Sequence, residues 1–135
     1  MTAVYVEQLV SAYPGITDVW LFGSHANGTA NADSDWDYLI WTDDAGLLNK
    51  LHQDRRFDLT TVDPLVVVDG GTAIRPWPDL DGSWKKLRLH EDLEWDEVSP
   101  TQATYLAAKK RNPDNPRDIA VDLKRAKAQL VYRRA

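Results

Sequence analysis

The chain has no cysteine, which excludes a disulfide framework and a thiolate metal site; any metal must be held by oxygen or imidazole. No apolar run approaches the roughly 20 residues of a membrane-spanning helix. The opening MTAVYVEQLV lacks the basic region, apolar stretch and small-residue cleavage pattern of a secretory signal, so the expected location is the cytoplasm. Basic side chains are scarce over residues 1–104, where 18 acidic residues stand against 7 basic ones. That shortage argues against duplex DNA as a partner, because affinity for the phosphate backbone comes from Lys and Arg. Clustered carboxylates attract Mg²⁺ or Mn²⁺ instead. From residue 105 onward the balance reverses, with 3 acidic and 9 basic side chains. A length of 135 residues suits one compact domain and therefore one site.

The periodicity predicts a mixed α/β (α+β) domain. Val6, Leu9, Val10 and Tyr13 recur at helical spacing until Pro14-Gly15 ends the segment. Val19-Trp20-Leu21-Phe22 reads as a strand that stops at Gly23-Ser24, and residues 25–32 as a short helix or loop. Asp35 to Trp41 alternates carboxylates with aromatics before an apolar stretch, so a strand would point Asp35 and Asp37 to one face. A short helix is expected over residues 45–53 and a strand over Leu65 to Val68, with Pro64 at its beginning. Gly70 to Gly82 reads as a long loop, and Trp84 to His90 as an alternating strand. Ser99-Pro100-Thr101-Gln102 has the chemistry of a helix start, and a last helix is expected from Asn115-Pro116, with Ile119, Leu123, Ala126 and Leu130 as its apolar stripe.

The informative stretch is Leu21-Phe22-Gly23-Ser24, then ten residues, then Asp35-Trp36-Asp37-Tyr38-Leu39. A Gly-Ser step after a buried strand permits close backbone approach to a ligand, and free N–H groups opening a helix suit a triphosphate. Carboxylates at i and i+2 on one strand have Cα atoms about 6.5 Å apart and project in parallel, so together they can grip hard cations. The run Asp33-Ser34-Asp35-Trp36-Asp37 with Asp44 imitates a calcium loop, but Tyr38 stands where such a loop needs glycine and Asp44 where it needs Glu.

These residues resemble the nucleotidyltransferases of the DNA polymerase beta superfamily, whose signature is an apolar residue, Gly, Gly or Ser, nine to thirteen residues, then two acids flanking an apolar residue. Phe22, Gly23, Ser24, Asp35, Trp36, Asp37 and Tyr38 fill every slot. Within the superfamily the chain looks most like the minimal nucleotidyltransferases. In those the turn often reads Gly-Ser-Arg-Ala-Arg-Gly, whereas here it is Gly23-Ser24-His25-Ala26-Asn27-Gly28, without the two arginines. The resemblance implies a small mixed sheet with flanking helices. It describes one nucleotidyltransferase domain over residues 1–135, with core motifs in 17–70 and a helical region over about 100–135. It also implies a third carboxylate on a neighbouring strand, for which Asp63 is preferred over Asp58; Asp69 reads as a turn residue.

The implied chemistry is transfer of a nucleoside monophosphate from a nucleoside triphosphate, ATP foremost, to a hydroxyl of a protein, an RNA end or a small molecule. Asp35, Asp37 and Asp63 would be catalytic and would hold Mg²⁺ or Mn²⁺, while Gly23, Ser24 and His25 would bind the nucleotide. His52 and His90 read as surface residues. Trp77, Trp84 and Trp95 read as core packing before base stacking, and Arg75 and Lys85-Lys86-Arg88 as a solvated face or a triphosphate contact. The resemblance also admits a non-catalytic antitoxin or regulatory module that binds a HEPN-like toxin. An aminoglycoside-modifying enzyme is a weaker fit, because a homodimer would have to supply the wall that a second domain normally provides.

Overall fold

The computed structural model describes residues 2–107 and 124–135. Helix α1 (Thr2–Ala12) is followed by β1 (Ile16–Phe22), the short α2 (Ser24–Asn27), β2 (Trp36–Thr42), α3 (Leu47–His52) and a 3₁₀ turn, Arg55–Phe57. Then come β3 (Val62–Val68), β4 (Thr72–Ile74), β5 (Lys86–Arg88), β6 (Asp96–Glu97), β7 (Gln102–Ala107) and β8 (Lys124–Arg133). The eight strands form one sheet in the order β5-β4-β3-β2-β1-β8-β7-β6. β2 and β3 run parallel, and every other neighbouring pair is antiparallel.

The alternation of β1, β2 and β3 divides the core in two. Val19, Leu21, Tyr38, Ile40, Val62 and Val66 turn to the face covered by α1 and α3, where they meet Tyr5, Leu9, Leu47 and Leu51. Trp20, Phe22, Leu39, Leu65 and Val67 turn to the other face, covered by Leu89, Leu93 and Trp95 and by Tyr105 of β7. A buried leucine or isoleucine stabilises such a core by about 2 kcal/mol, and Leu9, Ile16, Leu39 and Leu65 have almost no exposure. The strand parity carries Asp37 and Asp63 to the second face, at the end where β1 finishes. Among the described residues no helix is long and apolar enough to cross a membrane.

The structure departs from expectation mainly after residue 98. Ser99-Pro100-Thr101 forms the turn between β6 and β7 in place of a helix start: Ser99 Oγ accepts the Thr101 N–H at 3.3 Å, and the Val98 and Ser99 amides both reach the Gln102 carbonyl. A serine hydroxyl that caps a helix also closes a turn, so the local chemistry fits both outcomes. The expected C-terminal helical region contains two paired strands, β7 and β8. Ala126, Ala128 and Leu130 face the core while Arg125, Lys127 and Gln129 face solvent, a period of two that helix-favouring residue types obscured. β1 supplies the deciding partner by pairing with β8 along its free edge. The expected start at Asn115-Pro116, with Ile119 and Leu123, lies outside the described residues.

Smaller departures follow from pairing. Pro64 is the third residue of β3, tolerated because β4 pairs only with Val66 to Val68 and leaves the start of β3 an edge. The expected long loop contains β4, and the expected strand over 84–90 narrows to Lys86–Arg88. Asp69 lies in the β3–β4 turn with φ 51°, as a turn residue should.

Candidate active site

Where β1 ends, Gly23 adopts φ 76° and ψ −162°, a conformation open to glycine alone. The backbone then enters α2, whose Gly28 closes the turn in the left-handed region with its N–H on the Ser24 carbonyl. A Cβ at position 23 would overlap Asp37 Oδ2 and stand 3.0 Å from Asp37 Cγ. Gly23 therefore serves the turn and admits the carboxylate.

Asp37 pairs with Phe22 on one side and with Asp63 on the other. Adjacent parallel strands lie about 4.8 Å apart, so two carboxylates in register on one face crowd each other. Burial, and then the charge of Asp63, push the Asp37 carboxyl up to about 6; Lys85 pulls it back and Asp35 adds to the rise. Asp35, two residues earlier, is exposed and lies just before β2.

Asp63 is held by two cations. Arg75 Nε stands 3.2 Å from its Oδ1, and Lys85 Nζ meets its Oδ2. The Arg75 contact is an ion pair without hydrogen-bond geometry, so the buried Oδ1 accepts no hydrogen bond. Asp58, the other candidate, follows the 3₁₀ turn and pairs with Arg55 at 3.1 Å and with Arg75 at 3.2 Å. Arg75 thus bridges both acids and also donates to the Trp77 carbonyl at 3.1 Å. Its guanidinium spans the two acids, of which only Asp63 stands in register with Asp37.

Among the described residues, no three acidic or histidine side chains gather closely enough to hold a metal as they stand. The donor set nevertheless fits a hard divalent cation. It has oxygen ligands only, two carboxylates that repel each other in register, and a buried Asp63 oxygen lacking a hydrogen bond. The Lys85 ammonium stands as counter-ion on Asp63 where a cation would relieve the same repulsion.

His25 stacks on Trp36, with ring centroids 3.5 Å apart and planes 9° from parallel, and its Nε2 lies 3.0 Å from the Ser34 carbonyl oxygen. His52 packs against Trp84, and His90 is exposed. Trp77 is a buried core residue, its Nε1–H donating to the Leu51 carbonyl at 2.9 Å, and Trp95 is half-buried, packing edge-on to Trp20 against the core. Trp84 is partly exposed. Lys86 and Arg88 lie on the edge strand β5, with Arg88 paired to Glu91 and Asp92.

Two side chains hold this turn in roles that the sequence did not assign, Asn27 and Tyr105. Asn27 Nδ2 donates to the Gly23 carbonyl at 2.8 Å and to the Lys127 carbonyl at 3.0 Å, while its Oδ1 accepts the Lys127 N–H. Tyr105 reaches the turn from β7, its hydroxyl accepting the Gly23 N–H at 2.7 Å. Their one signal in the sequence was Asn27 itself, standing where minimal nucleotidyltransferases often have arginine.

The family profile described as nucleotidyltransferase domain matches residues 4–126. A search of curated proteins finds no match. A solved structure from Sulfolobus solfataricus, of a protein assigned as a nucleotidyltransferase, is 28% identical. The match covers 51% of this chain and 65% of that one, just under two thirds of its length, with a TM-score of 0.42. The profile spans nearly the whole chain and includes the Gly23-Ser24 turn and all three candidate acids, so the chain belongs to the nucleotidyltransferase domain family, with the mixed sheet and flanking helices of that fold.

Proposed function

We propose that this protein is a metal-dependent nucleotidyltransferase that moves a nucleoside monophosphate from a nucleoside triphosphate, ATP foremost, to a hydroxyl acceptor. The observation that carries this reading is the register of Asp37 with Asp63 beside the Gly23 turn. Family membership supports nucleotidyl transfer in general; the acceptor, a protein, an RNA end or a small molecule, belongs to the proposal.

In this reading Gly23, Ser24 and His25 hold the triphosphate at the opening of α2, and Asp35, Asp37 and Asp63 bind Mg²⁺ or Mn²⁺. Divalent cations bound there would neutralise the triphosphate and acidify the acceptor hydroxyl. The acceptor oxygen attacks the α-phosphorus, the bond to the bridging oxygen breaks, and pyrophosphate leaves with the electron pair. Asp63 takes the hydroxyl proton as general base, which requires Lys85 to release its carboxylate. Arg75, one-sixth exposed and tied to Asp58 and Trp77, stays in place and orients Asp63 through the exchange.

Calorimetric titration of each nucleoside triphosphate with Mg²⁺ or Mn²⁺ into the wild type and the Asp35→Ala, Asp37→Ala double mutant tests the reading. Metal-dependent binding that the double mutant loses is the expected result. If no triphosphate binds the wild type, the proposal fails.

A further inference from the structure

Tyr105 holds a place that the family motif does not assign. Its ring is fixed edge-on to Phe22, with centroids 5.7 Å apart at 90°, and stacked on Trp95. The residue is 5% exposed, and its hydroxyl lies at the glycine turn, on the same sheet face as Asp37. That oxygen accepts two hydrogen bonds, from the Gly23 amide at 2.7 Å and from Asn27 Nδ2 at 3.3 Å. Among the described residues none accepts its own proton. A phenol has one O–H to donate, and a partly buried donor left without an acceptor is costly. The Gly23 N–H, which an arriving phosphate would otherwise take, is already engaged.

From this geometry we infer that Tyr105 is a phosphate-binding residue, donating its hydroxyl proton to a β or γ phosphate oxygen of the bound triphosphate and relaying the Gly23 amide to it. The inference deepens the proposed function and rests on it. Two N–H groups donating to the phenol oxygen polarise its O–H and make it a stronger donor, as in other hydrogen-bond chains inside proteins. Burial holds the phenol above its ordinary pKa, so it keeps its proton at neutral pH. The arrangement replaces the cationic arginines absent from positions 25 and 27 with a neutral donor from β7. Asn27 ties α2 to β8 and keeps the turn within reach of that donor.

The test compares metal-dependent triphosphate binding in the wild type, in Tyr105→Phe and in protein carrying 3-fluorotyrosine at position 105, each checked for folding by circular dichroism. Loss of the hydroxyl should weaken binding about tenfold, as expected for a hydrogen bond to a charged group. Fluorination makes a phenol a better donor and a poorer acceptor, so the proposal expects tighter binding by about twofold to threefold. A tyrosine that merely braces the turn by accepting N–H bonds would bind triphosphate more weakly when fluorinated, and that outcome overturns the inference even if Tyr105→Phe fails to fold. Unchanged affinity in Tyr105→Phe overturns it as well. If the wild type binds no triphosphate, the fault lies with the proposed function.

Discussion

The carboxylate of Asp37 occupies the space that a Cβ at residue 23 would need, so the glycine of the turn and the acid of the neighbouring strand are one steric unit. Gly23→Ala places a side chain at φ 76° and into Asp37 at once. It should lower stability by about 2–4 kcal/mol and abolish triphosphate binding. Urea unfolding and calorimetry would check both, and a variant with wild-type stability would show that the turn can reshape.

Asp37 should cost the ligand-free protein stability. Its folded pKa, about 6, lies above its unfolded value near 3.8, so the folded state binds the extra proton between those limits. Stability is therefore highest below about pH 4 as far as this group is concerned, and it falls as pH rises through 6. At pH 7.5 Asp37→Asn should stabilise the ligand-free fold by about 1–2 kcal/mol after solvent screening, while reducing nucleotidyl transfer to under about a tenth of wild type, in line with the loss of a group in the reacting site. Thermal melts at pH 4.5 and 7.5 should show the larger gain at the higher pH.

The ammonium of Lys85 competes with a divalent cation for Asp63. Lys85→Met, which keeps the length and removes the charge, should tighten Mn²⁺ binding by about threefold to tenfold, a coupling of about 1 kcal/mol typical of partly exposed ion pairs. Equal affinity by titration would mean that Asp63 takes no part in holding the metal.

Asp58 and Asp63 should separate cleanly. Both pair with Arg75, but only Asp63 stands in register with Asp37. Asp63→Asn should abolish transfer, and Asp58→Asn should keep at least about a third of it, an effect of under about 1 kcal/mol on the barrier. The reverse pattern in a transfer assay would reassign the third acid.

Trp77 anchors the segment that carries Arg75. It is 1% exposed and hydrogen-bonded to Leu51. Trp77→Ala should destabilise the domain by about 3–5 kcal/mol, whereas Trp77→Phe should cost less, with the denaturation midpoint as readout.

By itself the sequence determined the glycine turn, the period-two strand that presents Asp37 with Asp35 just ahead of it, and the helix that Pro14-Gly15 ends. Each of these follows from contacts or alternation within a few residues. Tertiary structure alone decided that Asp63 lies beside Asp37, because a parallel pair is joined by a distant crossover and its register depends on how the two apolar faces align. It also decided that residues 124–133 form a strand. Alanine, lysine, arginine and glutamine favour a helix locally, and pairing with the open edge of β1 overrides that preference. Through the same pairing Tyr105 and Lys127 arrive at a turn some 80 and 100 residues earlier in the chain, a meeting that no local pattern encodes.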